Sequence, residues 1–253
     1  MSASAPSINH RAARIRPARR QWGRALVALR RLFADKEDTA QVFEIMRALG
    51  GATVQHGYQR LISTPEGGRI AYEHVELATR LMDRDWLASL PADSVGAAYR
   101  AFTSQENVSA AGLADVSRQG LPESEIDLKH PYAWYGRRTR DIHDVWHILT
   151  GYGRDAIGEL CLVAFSYPQT RGLGWALIAA GGYLRNRGKG GEVYRRAVRE
   201  AWRRGRAAAW LPGEDYERLL AEPLEAARRR LNITPPIAYD AIPAAARNPS
   251  MGR

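Results

Sequence analysis

The stretch HDVWHILTGYGRDAIGELCLVAF, residues 143–165, contains two helical patterns with a glycine-rich interruption between them. Apolar residues at helical spacing predict a first helix over about 137–150, which Gly151-Tyr152-Gly153 interrupts. A second helix is expected to follow and to end at 165 or 167, ahead of Pro168, because proline disrupts a helix interior. Strand patterns are weak throughout the chain, and no internal repeat is visible. The sequence therefore predicts an all-α fold.

Further helices are predicted on both sides of this stretch from apolar positions three and four residues apart. The predicted ranges are 22–33, 39–49, 71–82 and 95–103 upstream, and 192–209 and 214–231 downstream, with a short apolar segment at 175–184 before them. A turn is expected at 65–68, where a proline precedes two glycines. We therefore predict a single helical domain over 22–235, with a disordered basic arm at 1–21 and an extended tail at 236–253.

The composition is that of a soluble globular protein, with 45% hydrophobic and 25% charged residues in a chain of 253. The formal net charge is +10, and nearly all of the basic residues are arginines. Such an excess predicts an anionic partner, either a membrane surface or a nucleic acid. Because the chain has no recognisable nucleic-acid-binding module, we expect a membrane surface and no nucleic acid.

The single cysteine, Cys161, excludes an internal disulfide and a cysteine-based zinc site. It lies in an apolar run, where a buried structural cysteine is expected. No stretch reaches the roughly 20 apolar residues that span a bilayer, and the N-terminus lacks the apolar core of a signal peptide. Its arginine-rich start contains no acid before Asp35, which suits a bacterial tail or a mitochondrial transit peptide.

Two histidines and two acids form a candidate site for a divalent metal. His143 and His147 are four residues apart, so a helix would point both imidazoles the same way. Asp144 lies beside them, as a further ligand or as a general base. Glu159 is about 18 Å further along an unbroken helix, so it can join only if the chain turns at the glycines between them. Gly158 would permit the close backbone approach.

This ligand set is a mixed nitrogen and oxygen site, which suits Zn²⁺ and is acceptable to Fe²⁺, Mn²⁺ or Mg²⁺. Purely structural interpretations of the same residues are also open. A histidine on an apolar helix face is usually a core residue, and Glu159 near a helix start could simply be stabilised by the helix dipole.

The run from His143 to Asp155, with Gly158-Glu159 after it, resembles the metal-ligand motif of the ubiquinone (coenzyme Q) biosynthesis protein 4 family, in a bacterial-type version. Shorter matches at 90–99, 201–205 and 219–231 extend the resemblance over about 30–235. It implies an all-helical fold in which His143, Asp144, His147 and Glu159 bind a divalent metal, usually zinc.

The resemblance also implies a role in ubiquinone synthesis. The family associates peripherally with membranes and with other ubiquinone-synthesis enzymes. It is linked to oxidative decarboxylation of a polyprenylated benzoate precursor, in which a ring carboxylate is replaced by a hydroxyl. A homo-oligomer is compatible with this role. The expected location is the cytoplasmic face of a bacterial inner membrane, with the matrix side of the mitochondrial inner membrane as the alternative.

Because such a substrate carries an isoprenoid tail, an apolar path to the membrane is expected beside the metal. Trp175, in a glycine-bearing apolar segment, is a candidate for its mouth, and an ordinary buried helix is the competing interpretation. Arg185 and Arg187 are candidates for contact with lipid phosphates, although exposed arginines are usually only solvated.

Two other classes of function compete with a metal-dependent decarboxylase or lyase. In the first, the protein is a non-catalytic scaffold or lipid-presenting subunit that uses the metal structurally. A fully satisfied four-ligand site would favour this scaffold, whereas an open position facing an apolar cavity would favour catalysis. The second is a metal phosphohydrolase built on the adjacent pair His143 and Asp144. It would need another upstream histidine and a distant aspartate, and the surroundings of the two candidates, His74 and His130, show nothing that supports such a site.

Overall fold

A computed structural model describes residues 19–35, 38–105, 130–188 and 190–248. These residues form α-helices and short 3₁₀ turns, and no strand occurs among them, which confirms the all-α prediction. The helices are α1 (Trp22–Ala34), α2 (Thr39–Leu49), α3 (Thr53–Ile62), α4 (Pro65–Glu73), α5 (Leu77–Met82), α6 (Arg84–Ser89), α7 (Val95–Gln105), α8 (Pro131–Thr150), α9 (Ala156–Thr170), α10 (Leu173–Arg185), α11 (Glu192–Ala207), α12 (Tyr216–Ala221), α13 (Leu224–Arg230) and α14 (Ile237–Asp240), with 3₁₀ turns at Leu211–Gly213 and Ala244–Ala246.

The main hydrophobic core surrounds α8 and α9, which lie centrally and are covered by α7, α11 and the C-terminal helices. Cys161 and Phe165 of α9 are fully buried there, so the expectation of a buried cysteine is confirmed. A second cluster joins α1, α2 and α10 around Ile45 and Leu49. A third joins α3 and α4 to the start of α8 around Trp134. Helix α8 therefore contacts two of the three clusters and is held from several sides.

Helices α9 and α11 approach closely at Gly205. A Cβ at this position would lie 2.3 Å from the carbonyl oxygen of Phe165, so only glycine fits without displacement. Beside this contact, the Gln169 side chain donates to the carbonyl of Gly205 at 2.7 Å and accepts from the backbone N–H of Leu211 at 2.9 Å. This crossing fixes the far end of α9.

The expected helix over 71–82 is divided in two. Helix α4 begins inside the expected turn, at Pro65, where the Thr64 hydroxyl accepts a hydrogen bond from the N–H of Gly67. It ends at His74, whose φ of 55° is left-handed. The carbonyl of Val75 is taken by the indole N–H of Trp134, so a tertiary hydrogen bond interrupts the helical pattern.

The two central helices are longer than expected. Helix α8 begins at Pro131 rather than at 137, with the His130 ring nitrogen accepting from the N–H of Tyr132 at 3.2 Å. Helix α9 continues through Pro168 to Thr170 rather than ending before the proline. Its last turn is held by the hydrogen bonds of Gln169, which offset the disruption that proline causes.

The expected helix over 214–231 is also divided, at Pro223. Proline cannot donate to the helical ladder, and the neighbouring backbone pairs instead with the segment before α7. Val95 donates to Glu222, and Leu224 donates to Asp93, each at 2.9 Å. Two short helices, α12 and α13, therefore replace one long helix.

The ends of the chain differ from the prediction where they are described. Residues 1–18 of the predicted disordered arm lie outside the described residues, but Gln21 at its end donates to the carbonyl of Ala48 at 2.8 Å. The extended tail expected at 236–253 is wrong for 237–248. That segment forms α14 and a 3₁₀ turn, because Tyr239 and Ile242 are apolar enough to be buried against the core. Residues 249–253 are not described.

Within the described parts of the chain, no helix combines the length and apolar character needed to cross a bilayer.

Candidate metal centre

Helix α8 places the two predicted histidines one turn apart on one face. The ring centroids of His143 and His147 are 5.1 Å apart, with their planes perpendicular. One ligand atom from each of these residues and from Asp144 can be chosen so that all lie within 4.8 Å of one another. His147 and Asp144 are buried, and His143 is partly exposed, so the cluster lies at the edge of the core.

The chain turns between α8 and α9 at the glycines that predicted this turn. Gly151 ends α8 in the left-handed region at φ 79°, and its N–H donates to the carbonyl of His147. Gly158 lies against Gly153, since a Cβ on Gly158 would be 2.1 Å from the carbonyl oxygen of Gly153. The close backbone approach expected at Gly158 is present, and it returns Glu159 to α8.

Glu159 faces both imidazoles. Its Oε1 is 3.4 Å from His147 Nε2, and its Oε2 is 3.6 Å from His143 Nε2. Two ligands of a tetrahedral zinc ion, each about 2.0–2.1 Å from the metal, are separated by roughly 3.3 Å. Each oxygen-to-nitrogen distance is therefore close to the separation of two ligands on one ion.

The orientation of His147 is fixed by the turn. Its Nδ1 is 2.9 Å from the carbonyl oxygen of Tyr152, which can only accept, so Nδ1 carries the proton. The other ring nitrogen, Nε2, is buried and has no hydrogen-bond partner among the described residues. A metal-ligating histidine usually donates its second ring N–H to a carbonyl or carboxylate in this way.

The electrostatics of the cluster favour a cation. Burial opposes charge on His147, but the Glu159 carboxylate, with smaller effects from Tyr152 and Asp144, raises the pKa of His147 above its usual value. Burial likewise opposes ionisation of Glu159, but His147 and His143 outweigh it and hold the pKa of Glu159 well below its usual range. Positive charge is therefore stabilised between these side chains.

Two aromatic rings cover the imidazoles. Phe102 of α7 stacks on His147 with centroids 5.5 Å apart, and Trp175 of α10 stacks on His143 at 5.9 Å. Trp175, selected as a candidate for lipid contact, thus lies beside the metal cluster. Arg185 and Arg187 are exposed at the other end of α10 and are not brought to the cluster. The guanidinium of Arg185 instead lies 5.6 Å from the ring centroid of Phe33 in α1.

Two arginines cap the C-terminal end of α8, where carbonyl groups lack helical partners. Arg228 donates to the carbonyls of Ile148 at 2.8 Å and Leu149 at 3.0 Å. Arg204 donates to the carbonyl of Thr150 at 2.8 Å, and its guanidinium lies 4.8 Å from the ring centroid of Tyr152. Sequence reasoning did not assign these roles, nor that of Phe102, because all three residues are more than forty positions from their partners.

The donor set therefore fits a divalent cation. It combines the cluster of His143, Asp144 and His147 with the Glu159 carboxylate that faces both imidazoles. The His147 ring is oriented by a backbone carbonyl, and its Nε2 makes no hydrogen bond among the described residues. Such a set can bind Zn²⁺ and can also accept Fe²⁺ or Mn²⁺.

Comparison with known proteins identifies a family for this chain. Residues 20–237 match the family model described as "Coenzyme Q (ubiquinone) biosynthesis protein Coq4". "Ubiquinone biosynthesis protein COQ4 homolog, mitochondrial" of Rattus norvegicus is 30% identical over 174 residues, which are 68% of this chain and 62% of the rat protein. The protein "Ubiquinone biosynthesis protein COQ4, mitochondrial" of Yarrowia lipolytica is 29% identical over 164 residues, 61% of this chain and 59% of that protein. The chain thus spans slightly less than two thirds of the length of these relatives.

A crystal structure of a Nostoc punctiforme protein assigned to ubiquinone biosynthesis shares the fold. It has a TM-score of 0.63 and 18% sequence identity, and the match covers 85% of this chain and 100% of that one. Since the family model matches most of the chain, the chain belongs to the coenzyme Q (ubiquinone) biosynthesis protein Coq4 family.

Proposed function

We propose that this protein is a metal-dependent enzyme of ubiquinone biosynthesis that replaces the ring carboxylate of a polyprenyl-hydroxybenzoate by a hydroxyl group. The observation that carries the proposal is the buried Nε2 of His147, which has no hydrogen-bond partner among the described residues and faces Glu159. The Glu159 carboxylate is 3.4 Å from this nitrogen without a hydrogen bond to it, and a metal ion bound by both groups would satisfy them.

The reaction balances with dioxygen as oxidant and a two-electron donor as reductant. The bond between the ring and the carboxyl carbon breaks, and the carboxyl group leaves as carbon dioxide. One oxygen atom of dioxygen becomes the new hydroxyl. The second oxygen atom accepts two electrons and two protons and leaves as water.

In this proposal His143, His147 and Glu159 hold the metal, and Asp144 is either the fourth ligand or the general base. The bound cation would stabilise negative charge on the substrate's carboxylate or phenolate. Zinc is the first choice for this ligand set, but zinc is not redox-active. Iron is the alternative if electron transfer through the metal is required, with manganese or magnesium less suited. Phe102 and Trp175 would limit access of water and offer aromatic faces to the substrate ring.

The proposed location is the surface of a membrane, where a polyprenylated substrate resides. Helix α1 supports this, because Trp22 and Leu26 are one turn apart and 49% and 46% exposed, beside the exposed Arg30. Exposed Arg185 would then contact lipid phosphates. We propose the cytoplasmic face of a bacterial inner membrane, or the matrix side of the mitochondrial inner membrane, with other ubiquinone-synthesis enzymes as partners and a homo-oligomer as a compatible assembly.

A non-catalytic scaffold is the second candidate. It is favoured by the number of candidate ligands, since His143, Asp144 and His147 cluster and Glu159 approaches both imidazoles. If all four bound zinc, they would fill a tetrahedral site and leave no position for substrate. Under this alternative the metal stabilises the fold while the protein presents lipid to neighbouring enzymes.

Measuring bound metal and carbon dioxide release on the same purified proteins distinguishes the enzyme from the scaffold. We would measure bound metal in the purified wild type, in His147→Ala and in a matched control, His56→Ala, whose histidine is exposed on α3. Each protein would then receive polyprenyl-hydroxybenzoate, dioxygen and a two-electron reductant, and carbon dioxide release would be followed. Metal-dependent release in wild type and in His56→Ala, lost in His147→Ala, is the expected result. Stoichiometric metal without release would select the scaffold, and a wild type that binds no metal would refute the site.

A further inference from the structure

We propose that residues 237–248, here called the C-terminal strap, position the metal ligands, and that Tyr239 is the positioning residue. This inference rests on the proposed metal site, and it concerns how that site is held. The strap is far from the ligands in sequence but lies against the turn between α8 and α9. The residues that match the family model end at 237, so the strap follows the matched region of the chain.

The Tyr239 hydroxyl joins two residues of that turn. It accepts a hydrogen bond from the N–H of Gly153 at 3.1 Å and donates to Oδ2 of Asp155. Burial, together with the hydrogen bond to Asp155, raises the pKa of Tyr239 to about 12, so the phenol keeps its proton at neutral pH and remains a donor. Asp155 in turn uses its Oδ1 to accept from the N–H of Gly158 at 2.9 Å. One hydroxyl therefore fixes the capping residue of α9.

The strap also binds the remaining free N–H groups at the start of α9. The first N–H groups of a helix have no partner within the helix. Here Ala156 donates to the Asn248 side chain at 2.9 Å, and Ile157 donates to the carbonyl of Arg247 at 3.1 Å. Glu159 follows directly, so its position depends on a first turn that the strap and Asp155 hold.

Tyr239 also contacts the residue that orients the second ligand. Its ring packs edge-on against the ring of Tyr152, with centroids 5.4 Å apart. The carbonyl of Tyr152 is the partner of His147 Nδ1. The same strap residue thus lies against the supports of Glu159 and of His147, the two ligands that approach each other to 3.4 Å.

The strap is itself anchored to α11, so it can act as a rigid support. Ala238 donates to the Glu200 carboxylate at 3.0 Å, and the Tyr194 hydroxyl donates to the carbonyl of Ala246 at 3.0 Å. The guanidinium of Arg247 lies 4.2 Å from the ring centroid of Tyr239. Because Tyr194 binds the strap without contacting the turn through its hydroxyl, it provides a matched control.

The test compares Tyr239→Phe with Tyr194→Phe in the full chain. Each variant loses one strap hydroxyl and keeps its ring. The metal-free proteins would be titrated with Zn²⁺ and Co²⁺, recording the dissociation constants, the visible absorption of the cobalt complexes and the melting temperatures without metal. Loss of a hydrogen bond made directly to a metal ligand typically weakens metal binding by about 10- to 100-fold. Because the Tyr239 hydroxyl acts one contact further out, through Asp155 and Gly153, a weakening of about tenfold, the lower end of that range, is expected. In Tyr239→Phe we expect this weakening of metal binding together with an altered absorption spectrum of the cobalt complex. In Tyr194→Phe we expect the dissociation constants and the cobalt spectrum of the wild type.

Three results would overturn the inference. Wild-type metal affinity and cobalt spectrum in Tyr239→Phe would show that its hydroxyl does not position the ligands. Equal weakening in both variants would assign the strap a general stabilising role. Failure of the wild type itself to bind metal would refute the proposed site together with its support, and that outcome is recognisable before any variant is compared.

Discussion

The indole of Trp175 lies almost parallel to the imidazole of His143, with 6° between the planes and 5.9 Å between the ring centroids. The two side chains belong to different helices, α10 and α8, so this stack connects the candidate metal centre to the helix cluster that contains α1 and α2. A residue that the sequence suggested for lipid contact is therefore a neighbour of a proposed metal ligand.

Replacing Trp175 by alanine should loosen His143. An aromatic stack of this type contributes about 0.5–1.5 kcal/mol, so Trp175→Ala should weaken Zn²⁺ binding by roughly two- to tenfold. Trp175→Phe should lose less, since it keeps an aromatic ring. Calorimetric titration measures both, with Trp202→Ala on α11 as a control remote from the cluster. Unchanged affinity in Trp175→Ala would mean that the stack does not orient His143.

Gly158→Ala should damage the site by displacing α9. Its Cβ would lie 2.1 Å from the Gly153 carbonyl oxygen, and relieving this overlap should cost about 1–3 kcal/mol of unfolding free energy. The matched control is Gly136→Ala on α8, where a Cβ meets no atom within 4 Å and where alanine should stabilise by about 0.5–1 kcal/mol. Urea denaturation measures whether the unfolding free energy falls in Gly158→Ala and rises in Gly136→Ala. Two similar values would contradict the close approach at Gly158.

Arg228→Ala should destabilise the end of α8. The side chain satisfies the carbonyls of Ile148 and Leu149, and losing such charge-assisted hydrogen bonds typically costs about 1.5–3 kcal/mol. Arg229 is its exposed neighbour on α13, so Arg229→Ala should change the unfolding free energy by less than about 0.5 kcal/mol. Thermal denaturation by circular dichroism compares the two. Equal melting temperatures would show that Arg228 does not cap α8.

Membrane association should depend on α1. Vesicles that are roughly one third anionic phospholipid should bind the protein, and added salt should weaken that binding. The double substitution Trp22→Ser with Leu26→Ser should reduce vesicle binding on the order of tenfold by removing two exposed apolar side chains. Val193→Ser is the control, because Val193 is 52% exposed on α11 without an exposed apolar neighbour one turn away. Vesicle flotation measures the binding of the wild type, the double variant and Val193→Ser. If the double variant binds vesicles as well as the wild type does, α1 is not the membrane contact.

Local sequence patterns predicted much of the central architecture. The periodicity of α8 and α9 and the spacing of His143 and His147 are short-range properties, and the glycines between them marked the turn that returns Glu159. Helix breaks were harder to predict where a tertiary contact decides them. The break at His74 depends on a hydrogen bond from Trp134, and α9 passes Pro168 because Gln169 is held by α11 and the following turn.

The supports of the candidate site could not be predicted in this way. Phe102, Arg204, Arg228 and Tyr239 lie between 45 and 87 positions from the residues 147–152 that they contact at the candidate site. An arginine that caps a distant helix and an arginine in solvent have the same local sequence signature. Only the packing of the helices separates these cases.

Cys161 allows the transient opening of α9 to be measured without any substitution. It is the only thiol of the chain, it is fully buried two residues after Glu159, and burial raises its pKa well above the usual range. An alkylating reagent can reach it only during transient openings of this helix. The rate of thiol labelling therefore measures how often α9 opens. Slower labelling of the unmodified protein on addition of Zn²⁺ would show that the ion stabilises the contact between α9 and α8.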